Sequence, residues 1–190
     1  MTTLGKRFEE ALVYATNLHA RQIRKGSNVP YISHLLGVAS LVLEDGGNED
    51  EAIAALLHDA VEDQGGHATL DVILQKYGPE VAAIVEGCTD AFGLPKPPWR
   101  KRKEEYIRHL GQASRSVRRV SLADKLHNAR SIRFSLLKDG EALWDRFNGG
   151  KEGTLWYYQE LVRVFLETGN DPMTQELQSC VSEILQFSNP

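Results

Sequence analysis

The chain has 190 residues, a formal net charge of −4 and only two cysteines, Cys88 and Cys180. A chain of this length can bury one core without staples, and its acidic balance argues against non-specific binding to nucleic acid. Because the cysteines form no CxxC pair, no disulfide framework or structural zinc site is expected, and a reducing cytoplasm is the expected compartment. No apolar run approaches the ~20 residues that cross a bilayer, and the first residues lack the apolar core of a signal peptide.

Apolar residues recur at helical spacing from the start of the chain. The spacing predicts a first helix over residues 7–20 and a second over residues 31–44, with Ser33 as the N-cap of the second. His19 lies at the end of the first helix. Taken alone, it is a structural histidine that the helix dipole favours at a C-terminus.

A basic, turn-rich loop over residues 21–30 joins these two helices. Loops with such charge runs are usually solvated connectors. His34, however, lies in the first turn of the second helix. If His34 binds a metal, the loop stands at the mouth of the site and can hold an anion.

The third predicted helix carries a dense group of polar residues. An Asn-x-x-Glu capping pattern at residues 48–51 starts it, and its apolar run predicts a buried, continuous helix over residues 51–63. The polar residues at its end are His58, Asp59, Glu62 and Asp63. On a continuous helix the three carboxylates lie close together, and they cannot all stay ionised without a cation. The pattern favours a metal held by the His-Asp pair.

The rest of the chain is also predicted to be helical. Pro79 starts a helix that ends near residue 88, and a loop follows over residues 89–98. The basic run after this loop is either a solvated helix start or a surface for a polyanion. Ser114 or Ser116 begins a long helix, and further helices are expected over residues 154–168 and from 172 onward. Because no stretch reads as a strand, the predicted fold class is all-α.

The long helix adds a fourth candidate metal ligand. Asp124 and Asn128 lie four positions apart, on one face of an otherwise apolar helix. Such an aspartate needs either a cationic side chain or a metal as its partner. Together with His34, His58 and Asp59 it makes a mixed nitrogen and oxygen donor set that suits manganese, iron or zinc. A metal of this kind polarises a phosphoryl oxygen and lowers the pKa of water.

The H…HD…D spacing resembles that of the HD-domain phosphohydrolases. The residues around it, PYISH at 30–34, ALLHDAVED at 55–63 and LADKLHN at 122–128, look like the hydrolase domain of the RelA/SpoT alarmone enzymes. The single-domain small alarmone hydrolases, which include the metazoan SpoT homologue, match best, over about residues 8–165. The resemblance implies one HD-type helical bundle over residues 1–190, with a C-terminal helix at 172–187.

The resemblance also implies roles for individual residues. The matched metal ligands, usually for manganese with iron, zinc or cobalt as other candidates, are His34, His58, Asp59 and Asp124. Glu62 and Asp63 match the acidic pair that orients or activates the water, and the sequence does not decide which does which. The predicted substrate contacts are Arg24, Lys25, Lys96, Asn128 and Tyr157.

The implied reaction is hydrolysis of the 3′-diphosphate of (p)ppGpp to GDP or GTP and pyrophosphate. The expected partner is therefore a small nucleotide, with no nucleic acid and no membrane, and the oligomeric state is left open. Because no synthetase or regulatory domain fits in 190 residues, a stand-alone hydrolase is expected.

Three stretches depart from the family pattern and leave other substrates open. They are residues 64–66, 97–99 and 138–153, and they bear on the choice between guanine and adenine. The same pocket could cleave (p)ppApp, the 2′-phosphate of NADPH or another nucleotide phosphoester. A metal-free sensor that binds a nucleotide without turnover is a further alternative.

Overall fold

The computed structural model describes residues 2–91 and 95–188. The regular elements of these residues are helices joined by turns and loops. The described residues contain no strand, only an isolated bridge between Ile23 and Pro30. The all-α prediction is confirmed. The helices are α1 (Lys6–Leu18), α2 (Ile32–Glu44), α3 (Glu49–Leu57), α4 (Ala60–Gln64), α5 (His67–Tyr77), α6 (Pro79–Cys88), α7 (Trp99–Leu110), α8 (Arg115–Asp139), α9 (Gly150–Thr168) and α10 (Pro172–Ser188), with a 3₁₀ helix at Gly140–Arg146. Phe92, Gly93 and Leu94, in the predicted loop, lie outside the described residues.

These residues form two compact units. The first holds residues up to 96 together with 113–123, and the second holds 97–112 and the residues from 124 onward. Helix α8 therefore gives its first turns to one unit and the remainder to the other. The assignment of residues 1–190 to a single domain stays a prediction. None of the helices described has the length and apolar character to cross a bilayer.

Helix α3 is the centre of the first unit. It packs against α1, α2 and α6, and every side chain from Ala52 to Leu57 is fully buried. Its start has the predicted capping box, in which Asn48 and Glu51 exchange side-chain and backbone hydrogen bonds. The buried position of α3 brings its polar C-terminal end into the interior of the unit.

In the second unit, α9 packs against α7, α10 and the 3₁₀ helix. Trp99, at the start of α7, contacts the rings of Trp156 and Tyr157 with centroids 6.3 and 6.2 Å away. Its indole also fills the space where a Cβ atom on Gly149 or Gly153 would lie. Two stretches that depart from the family pattern therefore pack on each other.

The structure corrects two helix predictions. Ser33 does not cap α2, which begins at Ile32, because the backbone N–H groups of Ser33 and His34 already bond to the carbonyls of Pro30 and Tyr31. The predicted continuous helix over 51–63 is wrong as well. It is broken at His58 and Asp59, which lie in a turn between α3 and α4.

The break has a local chemical cause. The His58 ring Nδ1 lies 2.8 Å from the carbonyl oxygen of Ala55, which a continuous helix offers to the backbone N–H of residue 59. Side chains that take a backbone carbonyl in this way compete with the helix. The distortion is small: His58 keeps helical backbone angles, φ −59° and ψ −31°, and Asp59 departs from them at φ −95° and ψ −3°.

Candidate metal centre and catalytic site

Three predicted ligands meet in the first unit. The ligand atoms of His34, His58 and Asp59 all lie within 4.8 Å of one another. His34 comes from the first turn of α2, and the other two come from the turn between α3 and α4. The Oδ2 atom of Asp59 is 3.6 Å from His34 Nε2 and 3.0 Å from His58 Nε2. Two imidazoles and a carboxylate form a donor set that divalent first-row metals accept.

The hydrogen bonds around the cluster fit a cation. Since His58 Nδ1 donates to the Ala55 carbonyl, its Nε2 presents a lone pair in the neutral ring. In the neutral ring this lone pair lies 3.0 Å from a carboxylate oxygen of Asp59. A cation can bridge a nitrogen and an oxygen placed in this way. Tyr31 donates its hydroxyl to the same Oδ2 atom at 2.5 Å, which orients the carboxylate as outer-shell partners of metal ligands do.

Asp124, the fourth predicted ligand, belongs to the second unit. It is buried in α8, where its two oxygens accept from Lys125 Nζ at 2.6 Å and from Asn128 Nδ2 at 2.5 Å. The contact between Asp124 and Asn128, which their spacing of four positions predicts, is present. The ion-pair alternative for Asp124 is also realised, by its neighbour in sequence. Its role as a metal ligand stays a prediction.

Two further carboxylates follow the cluster on α4. Glu62 accepts from Lys96 Nζ at 2.6 Å, and Asp63 accepts from Gln22 Nε2 at 2.7 Å. Burial, aided by Asp90, raises the pKa of Glu62 against the opposing effect of Lys96. Burial, aided by Asp59, likewise raises the pKa of Asp63. Carboxylates with raised pKa values accept protons better than ordinary ones.

The predicted substrate contacts are distributed over both units. The Arg24 guanidinium lies 5.9 Å from the ring centroid of Tyr31, the residue that bonds Asp59, and Lys25 is exposed beside it. Lys96 is paired with Glu62. In the second unit, the buried ring of Tyr157 has Lys103 Nζ at 5.0 Å from its centroid. Contact of these residues with a substrate stays a prediction.

Three residues of the site were not identified from the sequence. From the sequence alone, Tyr31 is part of a helix start, His19 is a structural histidine and Gln22 belongs to a basic loop. Their contacts depend on how the loop folds back on α4, which no local spacing reveals. The polar residues that flank the basic loop were the available signal.

Comparison with known proteins agrees with this geometry. The HD-domain family profile matches residues 11–153. This chain belongs to the HD-domain family. The likeness to the small alarmone hydrolases is confirmed by relatives named guanosine-3′,5′-bis(diphosphate) 3′-pyrophosphohydrolase MESH1. The Xenopus tropicalis protein is 41% identical over 127 residues, 65% of this chain and 68% of the relative. The Homo sapiens protein is 38% identical over 126 residues, 65% and 68% of the two chains.

Longer proteins carry the same HD domain. The probable GTP pyrophosphokinase of Mycobacterium leprae is 36% identical over 128 residues, which are 66% of this chain and 16% of that protein. Among solved structures, one described as a metazoan ortholog of SpoT that hydrolyzes ppGpp has a TM-score of 0.78 and 24% identity, covering 96% of this chain and 98% of its own. Because the identity to this solved structure is only 24%, the likeness to it supports the fold alone.

Proposed function

We propose that this HD-domain protein is a metal-dependent phosphohydrolase that cleaves the 3′-diphosphate from (p)ppGpp, giving GDP or GTP and pyrophosphate. The observation that carries the proposal is the cluster of His34, His58 and Asp59, whose ligand atoms all lie within 4.8 Å of one another. The names of the MESH1 relatives support the substrate. The proposed compartment is the cytoplasm, in keeping with the free cysteines Cys88 and Cys180.

The proposed metal is manganese, with iron, zinc or cobalt as alternatives. His34, His58 and Asp59 would hold it, with Asp124 as the proposed fourth ligand. When bound, such a metal polarises a phosphoryl oxygen and lowers the pKa of a water molecule. The nitrogen and oxygen donor set supports a borderline divalent ion over magnesium or calcium, which prefer oxygen ligands alone.

The two carboxylates on α4 act on the attacking water. Glu62, fixed by Lys96, orients it, and Asp63, fixed by Gln22, takes its proton. The water oxygen forms a bond to the phosphorus that is attached to the ribose 3′ oxygen. The bond between this phosphorus and the 3′ oxygen breaks, and the 3′ oxygen takes up a proton to become the ribose hydroxyl. The two carboxylate roles are interchangeable on chemical grounds.

Basic side chains balance the charge of the substrate. We assign Arg24 and Lys25 to the base, Lys96 to phosphate, and Asn128 and Tyr157 to the nucleoside. A pyrophosphorylated nucleotide is strongly anionic, so cations near its phosphates stabilise the charge that develops in the transition state. The position of Arg24 beside Tyr31 supports its assignment.

The decisive experiment incubates the manganese-loaded protein with ppGpp and ppApp in parallel and separates the products by ion exchange. We expect GDP and pyrophosphate from ppGpp. Turnover of ppApp alone would keep the mechanism and change the base, and inorganic phosphate released from NADPH would indicate a different ester. Metal binding without turnover of any of these nucleotides would contradict the proposal and point to another phosphoester or to a sensor.

A single substitution tests the metal site at the same time. Asp59→Asn removes the one anionic ligand of the cluster, so we expect bound manganese and turnover to be lost together. Metal content by elemental analysis and the product assay measure the two effects. Glu62→Ala is the matched variant, because it should keep the metal while turnover falls. Turnover retained by Asp59→Asn would contradict the site.

A further inference from the structure

Gln22, in the loop after α1, makes three side-chain hydrogen bonds of 2.7 Å each. Its Oε1 accepts from the ring Nδ1 of His19 and from Nε2 of Gln64, and its Nε2 donates to Oδ2 of Asp63. The amide therefore connects the end of α1 to a carboxylate of α4. His19 has no part in the proposed chemistry, and Gln22 enters it only as the hydrogen-bond donor to Asp63.

The three bonds determine which way the amide points. A glutamine amide has an acceptor end and a donor end. The acceptor end receives the donors from His19 and Gln64, so the donor end must face the carboxylate of Asp63. The reversed amide would set its oxygen against the carboxylate of Asp63, which only accepts. The orientation of Gln22 is thus decided by its partners.

The anchor of this amide is rigid. His19 is only 2% exposed, and its ring stacks on the ring of Tyr31, with centroids 5.3 Å apart and an interplanar angle of 19°. Tyr31 in turn bonds Asp59. His19 therefore supports both carboxylates, Asp63 through Gln22 and Asp59 through Tyr31.

Water has access to the supported carboxylate. An open cavity of about 500 Å³ lies beside the network, and Gln22, Asp63 and Gln64 are among the residues that line it. Oδ2 of Asp63 accepts from Gln22, which leaves Oδ1 as the carboxylate oxygen that would take a proton. The direction of the carboxylate then depends on the amide.

We propose that Gln22, anchored by His19, is a positioning residue for hydrolysis that holds the Asp63 carboxylate in the direction needed to take a proton. The inference rests on the proposed function, in which Asp63 acts on the attacking water. Outer-shell partners of this type typically change activity by about 10–100-fold when they are removed. Gln22 acts through Asp63 and touches neither substrate nor metal.

Two variants of similar size separate the donor from the rest of the amide. Gln22→Glu keeps an acceptor for His19 and Gln64 but loses the donor to Asp63, while Gln22→Met loses all three bonds. We expect kcat to fall about 10–100-fold in both variants, with KM and manganese content unchanged. Gln75→Met, an exposed glutamine on α5, is the control and should match the parent protein. A rise in KM alone would overturn the proposal.

A double variant tests whether the effect passes through Asp63. Gln22→Met added to Asp63→Asn should lower kcat no further, because groups that act as a unit are not additive. A full additional loss overturns the proposal. If Asp63→Asn alone keeps the parental rate, the positioning role is also overturned, although metal-dependent hydrolysis stands. If the parent hydrolyses none of the nucleotides, a crystal structure of Gln22→Met decides: a rotated Asp63 supports the positioning role, and an unmoved one overturns it.

Discussion

Lys96 forms an ion pair with Glu62, the carboxylate that we propose orients the attacking water. Burial raises the pKa of Glu62, and Asp90 raises it further, while the hydrogen bond and charge of Lys96 lower it. Lys96 therefore keeps Glu62 ionised at a pH where burial alone would protonate it. The same lysine is the proposed phosphate contact, so its charge serves both the free enzyme and the substrate complex.

Lys96→Met should make the reaction more sensitive to acid. The active form of Glu62 is ionised, so the rate is lost as the pH falls through its pKa, and a higher pKa moves this loss to higher pH. We expect the acid midpoint of the kcat/KM profile, which reports the free enzyme, to move up. Lys96→Arg, which keeps the charge, is the control. An unchanged midpoint in Lys96→Met would remove this pair from the mechanism.

At the scale of single residues, the sequence identified the charged residues of the site but not the side chains that hydrogen-bond to them. His58, Asp59, Glu62 and Asp63 were recognisable because charge next to a buried apolar run needs compensation. Tyr31 and Gln22 were not, since a tyrosine or glutamine near a loop is usual. Their function follows from partners 28 and 41 positions away, and periodicity carries no information at such separations.

At the scale of elements, Arg119 attaches the start of α8 to the central helix. Its guanidinium bonds Asp45, after α2, at 2.8 Å and the buried Glu51 of α3 at 2.8 Å. Arg119→Met would leave the Glu51 carboxylate buried without its cation. We expect a loss of about 3 kcal/mol in the free energy of unfolding, measured by urea denaturation.

Arg163 is the matched control for Arg119. It makes two ion pairs within α9, but its side chain is 53% exposed. Exposed pairs of this kind contribute little because water and salt screen them, so Arg163→Met should leave the free energy of unfolding nearly unchanged. Equal losses for the two variants would show that the burial of Glu51 does not decide the effect.

The packing of Trp99 on α9 gives a second prediction at this scale. A Cβ on Gly149 would lie 2.7 Å from the Trp99 ring, so Gly149→Ala should destabilise the protein by about 1–3 kcal/mol, as overpacking does. Thermal or urea unfolding measures this. In a Trp99→Leu background the same alanine should cost less, since the ring is gone. Gly111→Ala, where the nearest atom is 3.6 Å away, is the neutral control.

Helix boundaries were predictable where the signal is local. The capping box at Asn48 and Glu51 and the proline at the start of α6 are predicted from neighbouring residues and are confirmed. The break between α3 and α4 was missed. Its cause is a side chain that takes a backbone carbonyl, and histidine is not a residue that normally ends a helix.

At the scale of the molecule, the fold class and family followed from a few motifs. An all-α chain with H…HD…D spacing is what the HD-domain match over residues 11–153 confirms. The positions of the proposed fourth ligand and of the proposed substrate contacts do not follow from these motifs. Asp124 and Tyr157 belong to the second unit, and whether they share a site with His34 depends on tertiary arrangement, which the spacing of motifs along the chain does not encode.

Metal binding should stabilise the whole fold. A ligand that binds only the native state at 100 times its Kd adds about 2.7 kcal/mol, which corresponds to roughly 5–10 °C in Tm for a chain of this size. We expect this rise when manganese is added to metal-free protein, measured by calorimetry, and its reversal by EDTA. Asp59→Asn should show no rise. An equal rise in that variant would place the metal elsewhere.

A backbone amide in the turn between α3 and α4 should report whether the proposed metal site is occupied. The N–H of Asp63 donates to the carbonyl of Asp59 at 3.0 Å, so the first bond of α4 starts on a proposed ligand. When a metal holds the Asp59 side chain, local opening of this turn must break coordination as well. Hydrogen–deuterium exchange at that single amide should therefore slow as the site fills, and it would report occupancy in a protein that is not turning over.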